Sequence, residues 1–429
     1  MADEPGEISL MTTHTRAYLS LGTNLGDRLT NLADAVRALG GAHNTTVVDV
    51  SPVYQTAPLG PEGIVVATEP AYLNCAVLIE TELSARALRA ETQRIEHAMG
   101  RGEHGRWESR VIDIDLVLFG DERIATSELT VPHARMCERA FVLRPLVDLD
   151  PGLSIDGVGP LESLLPGLVW QACEPFATAE TLRAVGRSAG LIAHGVTIVG
   201  RGRLGSALAE ELRAAGVTVT GPLGRGATGD TAAIVLLCVP DREIASAAAA
   251  IAPGRLVGHC SGAATLEPLA PHEAFSMHPL MTVVRESAPQ FRGAGCAVAG
   301  TTPLARAVAD ALVRMLGMQP VEIADGDRAL YHAAATMASN YVVTLECMAE
   351  RLAGRVGVSR EMLAPLARAS LENWIALGRD ALTGPIARGD METVERQRAA
   401  IDAREPELLA LWDALVLHTT ELAAGPRTT

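Results

Sequence analysis

Two rhythms alternate along the first part of the chain. Ala17 to Leu21 is a short apolar run of strand type, and Arg28 to Leu39 sets Leu29, Leu32, Val36 and Leu39 at helical spacing. Thr46 to Val53 and Asn74 to Glu80 read as strands, Ser84 to Met99 as a helix, and Val111 to Phe119 as a strand. Strand-helix-strand-strand-helix-strand predicts an α+β domain of ferredoxin-like order. Glycine and proline then punctuate 148–175, which reads as a domain end. A first domain over 15–175 and a linker over 176–193 follow, with a short connecting helix at 178–187. Next, a strand at Val196 to Val199, a glycine turn, a helix and a second strand at Ala233 to Val239 predict an α/β Rossmann domain over 194–325. The long helical stretch beyond predicts an all-α domain over 326–429. Its Leu408, Leu409, Leu411, Leu415 and Leu422 serve either as domain core or as a homodimer face.

Composition narrows the chemistry. The 429 residues are 48% apolar but only 3% aromatic, so the cores are built from Ala, Val, Leu and Ile. There is no lysine, and all 36 basic residues are arginine, which removes a P-loop, a pyridoxal Schiff base and a lysine general acid. A net charge of −15 opposes nucleic-acid or anionic-membrane partners and leaves small molecules. The first 190 residues carry −11 of it, a shift that agrees with the domain boundary. Seven scattered cysteines without CxxC or CxxH spacing suggest reduced thiols. The opening residues are acidic and polar, and apolar runs reach only about eight residues where spanning a bilayer takes about 20. A cytoplasmic protein is the expectation.

The strongest chemical signal is R-G-E-H-G-R-W-E-S-R-V-I-D-I-D at Arg101 to Asp115. Residues two apart on a strand share a face, so Asp113 and Asp115 project together while Ile112, Ile114 and Leu116 face a core. Paired carboxylates need a cation between them, and Mg²⁺ suits one or two such ligands plus phosphate oxygens. Arg101, Arg106 and Arg110 stand immediately upstream as planar phosphate donors. Metal carboxylates beside an arginine cluster are what ATP chemistry requires.

Six collinear stretches carry a resemblance: AYLSLGTNLGDR from Ala17, SPVYQTAPLGP from Ser51, YLNCAV from Tyr72, TQRIEHAMGR from Thr92, RWESRVIDIDLVLFG from Arg106 and LTVPHARMCERAFVLRPL from Leu129. Together they resemble the 6-hydroxymethyl-7,8-dihydropterin pyrophosphokinases of folate biosynthesis. The resemblance implies transfer of a pyrophosphoryl group from ATP to the pterin hydroxymethyl oxygen. It implies two Mg²⁺ ions on Asp113 and Asp115, and phosphate contacts from Arg101, Arg110, His133 and Arg139. Glu96, Trp107 and Thr130 match positions near the nucleotide or the catalytic loop. Tyr72 and Phe141 match the rings that sandwich the pterin, Asn74 the side chain that reads its amide edge, and Thr56, Pro58 and Leu59 the pocket loop. Stacking on faces and amide hydrogen bonds at an edge are the physics of holding a flat heterocycle. The loop between Pro61 and Tyr72 is longer than in short family members, and that between Arg101 and Arg106 is shorter.

The second half has its own constellation. Val196 to Val199 leads into G-R-G-R-L-G, with Gly200, Gly202 and Gly205, and then a helix, the context a dinucleotide turn requires. Where NAD enzymes place an acid about 20 residues on, this chain has Arg225, and Arg201 and Arg203 flank the glycines, which favours NADP(H). This half resembles Rossmann-like reductases with an all-helical C-terminal domain, such as ketopantoate and pyrroline-carboxylate reductases. It is most similar to a branch carrying HAAATMASN (His332 to Asn340) and TGPIARGD (Thr383 to Asp390), linked to ketopantoate reduction. His332, Thr336 and Asn340 at i, i+4 and i+8 share a helix face, and imidazolium could protonate the alkoxide left by hydride transfer. Ser261, His278, Arg388 and Asp390 are further substrate-site candidates. The whole reads as a bifunctional enzyme, a pterin pyrophosphokinase joined to an NADPH-dependent 2-keto acid reductase. The rival keeps the kinase and makes the second half a non-catalytic nucleotide-sensing or dimerisation module.

Overall fold

The computed structural model describes residues 14–58, 69–100, 110–284 and 291–425. The chain divides into two compact units, the first ending at Arg328 and the second beginning at Ala329.

The first unit opens with β1 (Thr15–Thr23), α1 (Arg28–Gly40), β2 (Thr45–Val50), β3 (Val53–Thr56), β4 (Tyr72–Thr81), α2 (Ala85–Ala98) and β5 (Asp113–Phe119). A small hairpin of β6 (Ile124–Ala125) and β7 (Thr130–Val131) leads to α3 (Ala140–Leu149). A second hairpin, β8 (Ser154–Ile155) with β9 (Gly159–Pro160), precedes β10 (Cys173–Ala177). The sheet runs β10-β3-β4-β1-β5, with β2 also on β4, and its pairings are antiparallel. Alternation sorts its faces. Leu19, Leu21, Leu73, Val77 and Ile79 pack against Leu32 and Leu39 of α1 and Leu88 and Ile95 of α2. Tyr18, Ala76 and Leu78 face Val142, Leu143 and Leu146 of α3 on the other side.

The stretch 176–193, expected as a linker, is part of the fold. Its start completes β10, which pairs with β3, and α4 (Ala179–Ala193) follows with Thr178 as its cap, the hydroxyl accepting from Thr181 N at 3.1 Å. A linker is solvated, but α4 buries Leu182 in the first sheet's core and Ala184 and Ile192 in the core of the next sheet. One helix with two apolar faces therefore serves two sheets.

That second sheet is built from β11 (Val196–Val199), α5 (Arg203–Ala214), β12 (Val219–Leu223), β13 (Ile234–Leu237), α6 (Ile244–Ala249), β14 (Leu256–His259), β15 (Glu273–Pro279), β16 (Gly295–Gly300), α7 (Pro303–Met315) and β17 (Gln319–Glu322). Its order is β12-β11-β13-β14-β15-β16-β17, parallel except where β16 runs against β15. β11, β13 and β14 are buried along their whole length, as strands covered on both faces must be. Arg328 closes this unit from within. Only 3% exposed, it donates to Asp325 at 2.6 Å and to the Ser276 hydroxyl at 3.3 Å, so the helical unit begins three residues later than the expected 326.

The second unit contains α8 (Arg328–Thr336, all but its first residue), α9 (Val342–Gly354), α10 (Arg360–Leu377), α11 (Gly384–Arg388), α12 (Met391–Arg404) and α13 (Leu409–Ala424). Buried Glu405 fastens α9 to the end of α12 through Arg351 and Arg355. Apolar side chains are left exposed on several helices, among them Leu330, Val343, Met362, Leu366, Trp374 and Ile375.

Candidate active sites

The first site forms where β1, β4 and β5 lie side by side. Asp113 sits opposite Gly22 and Asp115 opposite Ser20, both half-buried, while Ile112, Ile114 and Leu116 are buried behind them. The period-2 expectation holds. Arg110 donates from Nη1 to Asp113 Oδ1 at 3.1 Å. The loop after β1 clamps Arg110: its N–H donates to Asn24 Oδ1 at 2.7 Å, and its carbonyl accepts from Asn24 N at 3.1 Å. Asn31, one turn into α1, donates to Val111 O at 3.2 Å. Asn24 and Asn31 were not singled out from sequence, although Asn24 lies in the GTNLGDR stretch just before Asp27 caps α1.

Glu96, expected near the nucleotide or the catalytic loop, is a buried residue of α2. It is 4% exposed, and its Oε1 accepts the N–H of Ile114 at 2.7 Å, between the two aspartates. It lies on the buried face of α2 with Leu88, Thr92 and Ile95, so its side chain holds β5 in place.

Across from the aspartates, the loop after β7 brings up His133 and Arg139. Burial, with the Arg139 and Arg135 charges adding to it, holds the His133 imidazole below its usual value against the pull of Asp113. Burial likewise lowers Arg139, and Asp115 and Asp113 oppose that shift. Burial raises the Tyr72 phenol, with Arg110 opposing and Asp113 adding. These mutual influences put Tyr72, Arg110, Asp113, Asp115, His133 and Arg139 in one electrostatic field. Arg135 joins them without having been expected. Thr130 is exposed on β7.

Residues expected around the pterin are also found together. Asn74, 3% exposed, donates from Nδ2 to the Thr56 hydroxyl at 2.8 Å, and Thr56 pairs across the strands with Tyr72. Gly22 keeps the slot open: a Cβ there would stand 3.1 Å from Asn74 Oδ1 and 3.9 Å from the Tyr72 ring. The Arg139 guanidinium lies over the Phe141 ring, 5.5 Å from its centroid. Pro58 is buried at the loop's start. Leu59, Arg101 and Trp107 lie outside the described residues, as do most of both departing loops. No cluster of three or more His, Cys, Asp or Glu side chains that could hold a metal occurs among the described residues. A site with two carboxylates fits Mg²⁺, which takes its remaining ligands from phosphate and water.

The second site is the turn between β11 and α5. Gly200 has φ of +124°, and a Cβ there would lie 2.1 Å from the Cys238 carbonyl oxygen; one on Gly205 would lie 2.1 Å from Gly200 O. Only glycine fits both places. Gly202 caps α5 without a side-chain acceptor, so the first helical amides and Arg203 face a cleft of about 360 Å³ shared with Asp241 and Ser261. The Ser261 hydroxyl donates to Asp241 at 2.8 Å. Arg225, just beyond β12, pairs with Glu243 at 2.9 Å, and Arg201 reaches the adjoining Gly224. The His278 ring packs against Gly262.

His332 and Asn340 are exposed on the second unit. The expected i, i+4, i+8 line holds only to Thr336, because α8 ends there and a π turn spans Met337–Tyr341. The Thr336 hydroxyl donates to the His332 carbonyl at 3.0 Å, and Asp390 caps α12 by accepting from Thr393 N at 3.1 Å. Arg388 ends α11.

Paired strand carboxylates in the field of arginines and a histidine suit a phosphate-bearing ligand, the chemistry of a phosphotransferase. Residues 18–151 match the family described as 7,8-dihydro-6-hydroxymethylpterin-pyrophosphokinase. The chain is 44% identical over 133 residues to the 2-amino-4-hydroxy-6-hydroxymethyldihydropteridine pyrophosphokinase of Bacillus subtilis, covering 31% of this chain and 77% of that protein. It is 39% identical over 155 residues to the enzyme of the same name from Haemophilus influenzae, covering 36% and 91%. Through this domain the chain belongs to the 7,8-dihydro-6-hydroxymethylpterin-pyrophosphokinase family. A mitochondrial folate synthesis bifunctional protein of Arabidopsis thaliana is 36% identical over 172 residues, 39% of this chain and 30% of that one.

Residues 294–419 match a family described only as a domain of unknown function, DUF2520. Among solved structures, a protein assigned as an NADP oxidoreductase, from Bacteroides fragilis, superposes with a TM-score of 0.47 at 17% identity, covering 53% of this chain and 98% of that one. Pyrroline carboxylate reductase of Plasmodium falciparum, with NADP bound, gives 0.38 at 14%, covering 55% and 100%.

Proposed function

We propose that the first domain transfers pyrophosphate from ATP to the hydroxymethyl oxygen of 6-hydroxymethyl-7,8-dihydropterin, releasing AMP in folate biosynthesis. The observation that carries this is the convergence of Asp113 and Asp115 with Arg110, His133 and Arg139 beside the Tyr72–Asn74–Thr56 slot, in a domain 44% identical to a pyrophosphokinase. Two Mg²⁺ ions on Asp113 and Asp115 would supply charge neutralisation on the phosphates. Arg110 and Arg139 orient the transferred group, Asn74 and Thr56 fix the heterocycle edge, and Tyr72 and Phe141 cover its faces. The antiparallel order β5-β1-β4-β2 supports the ferredoxin-like reading of this domain. AMP release that needs both pterin and Mg²⁺ tests the assignment.

We further propose that the second domain binds NADP(H) at Gly200, Gly202, Arg203 and Gly205 and reduces a ketopantoate-like 2-keto acid. Support comes from the amide-lined head of α5 and from two arginines, Arg201 and Arg225, at the end of β12 where a 2′-phosphate would lie. His332 is the proposed proton donor, with Ser261, His278 and Asn340 toward the substrate. Titration with NADPH, followed by its oxidation with a panel of keto acids, decides the matter. The rival dimerisation module draws on the exposed Leu330, Val343, Met362, Leu366, Trp374 and Ile375, an apolar area that a second copy of the chain would cover. No helix among the described residues is long and apolar enough to cross a membrane.

A further inference from the structure

We propose that Cys238 and Cys260 are a modification site for hydroperoxides, a dithiol that closes to a disulfide in the wall of the nucleotide cleft. The two residues stand one position beyond Leu237 and His259, which pair across the adjacent parallel strands β13 and β14. Their sulfurs lie 3.8 Å apart. A disulfide needs its sulfurs about 2 Å apart and its Cα atoms within about 4.4–6.8 Å, a span that neighbouring strands supply. Both cysteines line the cleft together with Gly202, Arg203, Asp241 and Ser261.

Their surroundings divide the labour. Cys238 is half-buried, and its Cβ lies against the first turn of α5, 3.1 Å from where a Cβ on Gly205 would be. Cys260 is 7% exposed; its hydrogen bond with Cys238 and its burial push its thiol well up, so it keeps its proton until called on. The Cys238 sulfur attacks one peroxide oxygen, the O–O bond breaks, and a sulfenic acid forms with release of water from hydrogen peroxide or an alcohol from an organic hydroperoxide. The Cys260 sulfur then attacks the sulfenic sulfur, expelling the hydroxyl as water. Two thiols lose two electrons and two protons to one hydroperoxide.

Closure acts on the dinucleotide turn because no slack lies beneath it. Cys238 N donates to Val199 O at 2.7 Å, and Gly200 already rests on the Cys238 carbonyl. This consequence for the cofactor rests on the NADP(H) reading above; the disulfide itself does not.

The test uses the full chain, reduced, desalted and exposed to hydrogen peroxide, with free thiols then alkylated and peptides mapped by mass spectrometry. The expected result joins the Cys238 and Cys260 peptides with a loss of about 2 Da, reversed by dithiothreitol. Cys260→Ser should leave a dimedone-reactive sulfenic acid on Cys238, and Cys296→Ser should leave the linkage intact. NADPH affinity should fall at least about tenfold on oxidation of the wild type, while oxidised Cys260→Ser loses less. Absence of the 238–260 linkage in the folded wild type overturns the proposal. An equal loss of NADPH binding in Cys260→Ser overturns the closure of the cleft. If reduced wild-type protein fails to bind NADPH, the reductase reading falls, and the peptide map still decides the disulfide.

Discussion

Arg314, in the last turn of α7, places Nε 3.3 Å from Oδ2 of Asp27, the residue that caps α1. The pair ties the second sheet's helical layer to the loop that clamps Arg110. It is also half exposed, and such pairs contribute about 0–1 kcal/mol. The join therefore rests on α4, whose Leu182 fills the first core while Ala184 and Ile192 fill the second. Leu182→Ala should destabilise the unit by about 2–4 kcal/mol, the range for a buried leucine, whereas Arg314→Ala should move the urea midpoint little. Equal midpoints for the two variants would show that α4 is not the joint.

The two carboxylates of β5 allow a cleaner test. Asp113 and Asp115 are half-buried on the open face of β5, and the core side of that strand is untouched by their removal. Asp113→Ala or Asp115→Ala should lower AMP formation by at least about 10²-fold, as loss of a preorganised charge contact does, with an unchanged circular dichroism spectrum. Near-normal turnover at saturating Mg²⁺ would sink the metal assignment.

Glu96 separates holding a strand from touching a nucleotide. Glu96→Gln keeps an acceptor for the Ile114 N–H and should retain most activity and stability. Glu96→Ala leaves that buried donor unpaired, at a cost of about 1–3 kcal/mol, and should lower kcat more than it raises the KM for ATP. A KM effect alone in both variants would return Glu96 to the nucleotide.

Much of this was legible because simple periods govern it. Asp113 and Asp115 alternate with Ile112 and Ile114, and no other strand register buries those isoleucines. The glycine turn was legible because Gly200, Gly202 and Gly205 stand between an apolar run and a helix. The placement of Glu96 was written in the i, i+4, i+7, i+8 set Leu88, Thr92, Ile95 and Glu96, but a carboxylate on an apolar face is easily read as a ligand. The role of α4 was hidden by the Gly- and Pro-rich stretch before it, and by apolar positions that serve two cores rather than one stripe. The clamp of Asn24 on Arg110 joins residues 86 apart and leaves no local pattern.

His133 makes stability depend on pH in a definite direction. Burial and the flanking arginines lower its value, so it is neutral in the fold above the ordinary value of about 6.5 and resists charging below it. As pH falls below about 6.5, the unfolded chain takes up a proton that the folded site refuses. The native state therefore loses this contribution progressively, until pH passes the lowered native value. His133→Gln should flatten the fall of the urea midpoint between about pH 7 and pH 5. An identical slope in the variant would show that His133 is as free to charge in the fold as in the unfolded chain.

On the proposed NADP(H) reading, Arg225 would carry the choice between the two nicotinamide dinucleotides, and its partner sharpens the test. Glu243 holds it at 2.9 Å, yet the Arg225 side chain is 85% exposed, so the pair is weak and a phosphate could replace it. Arg225→Ala should weaken NADPH binding about five- to tenfold and leave NADH nearly unchanged, a contact of about 1–1.5 kcal/mol after solvent screening. Glu243→Gln should do the reverse, because it removes the carboxylate that competes with the 2′-phosphate and leaves the guanidinium in place. Arg201, beside Gly224, should limit the loss, so the double variant Arg201→Ala/Arg225→Ala should lose more than either alone. Calorimetric titration of both nucleotides checks all of these. If Glu243→Gln weakens NADPH as much as Arg225→Ala does, the pair positions the loop and the 2′-phosphate is held elsewhere.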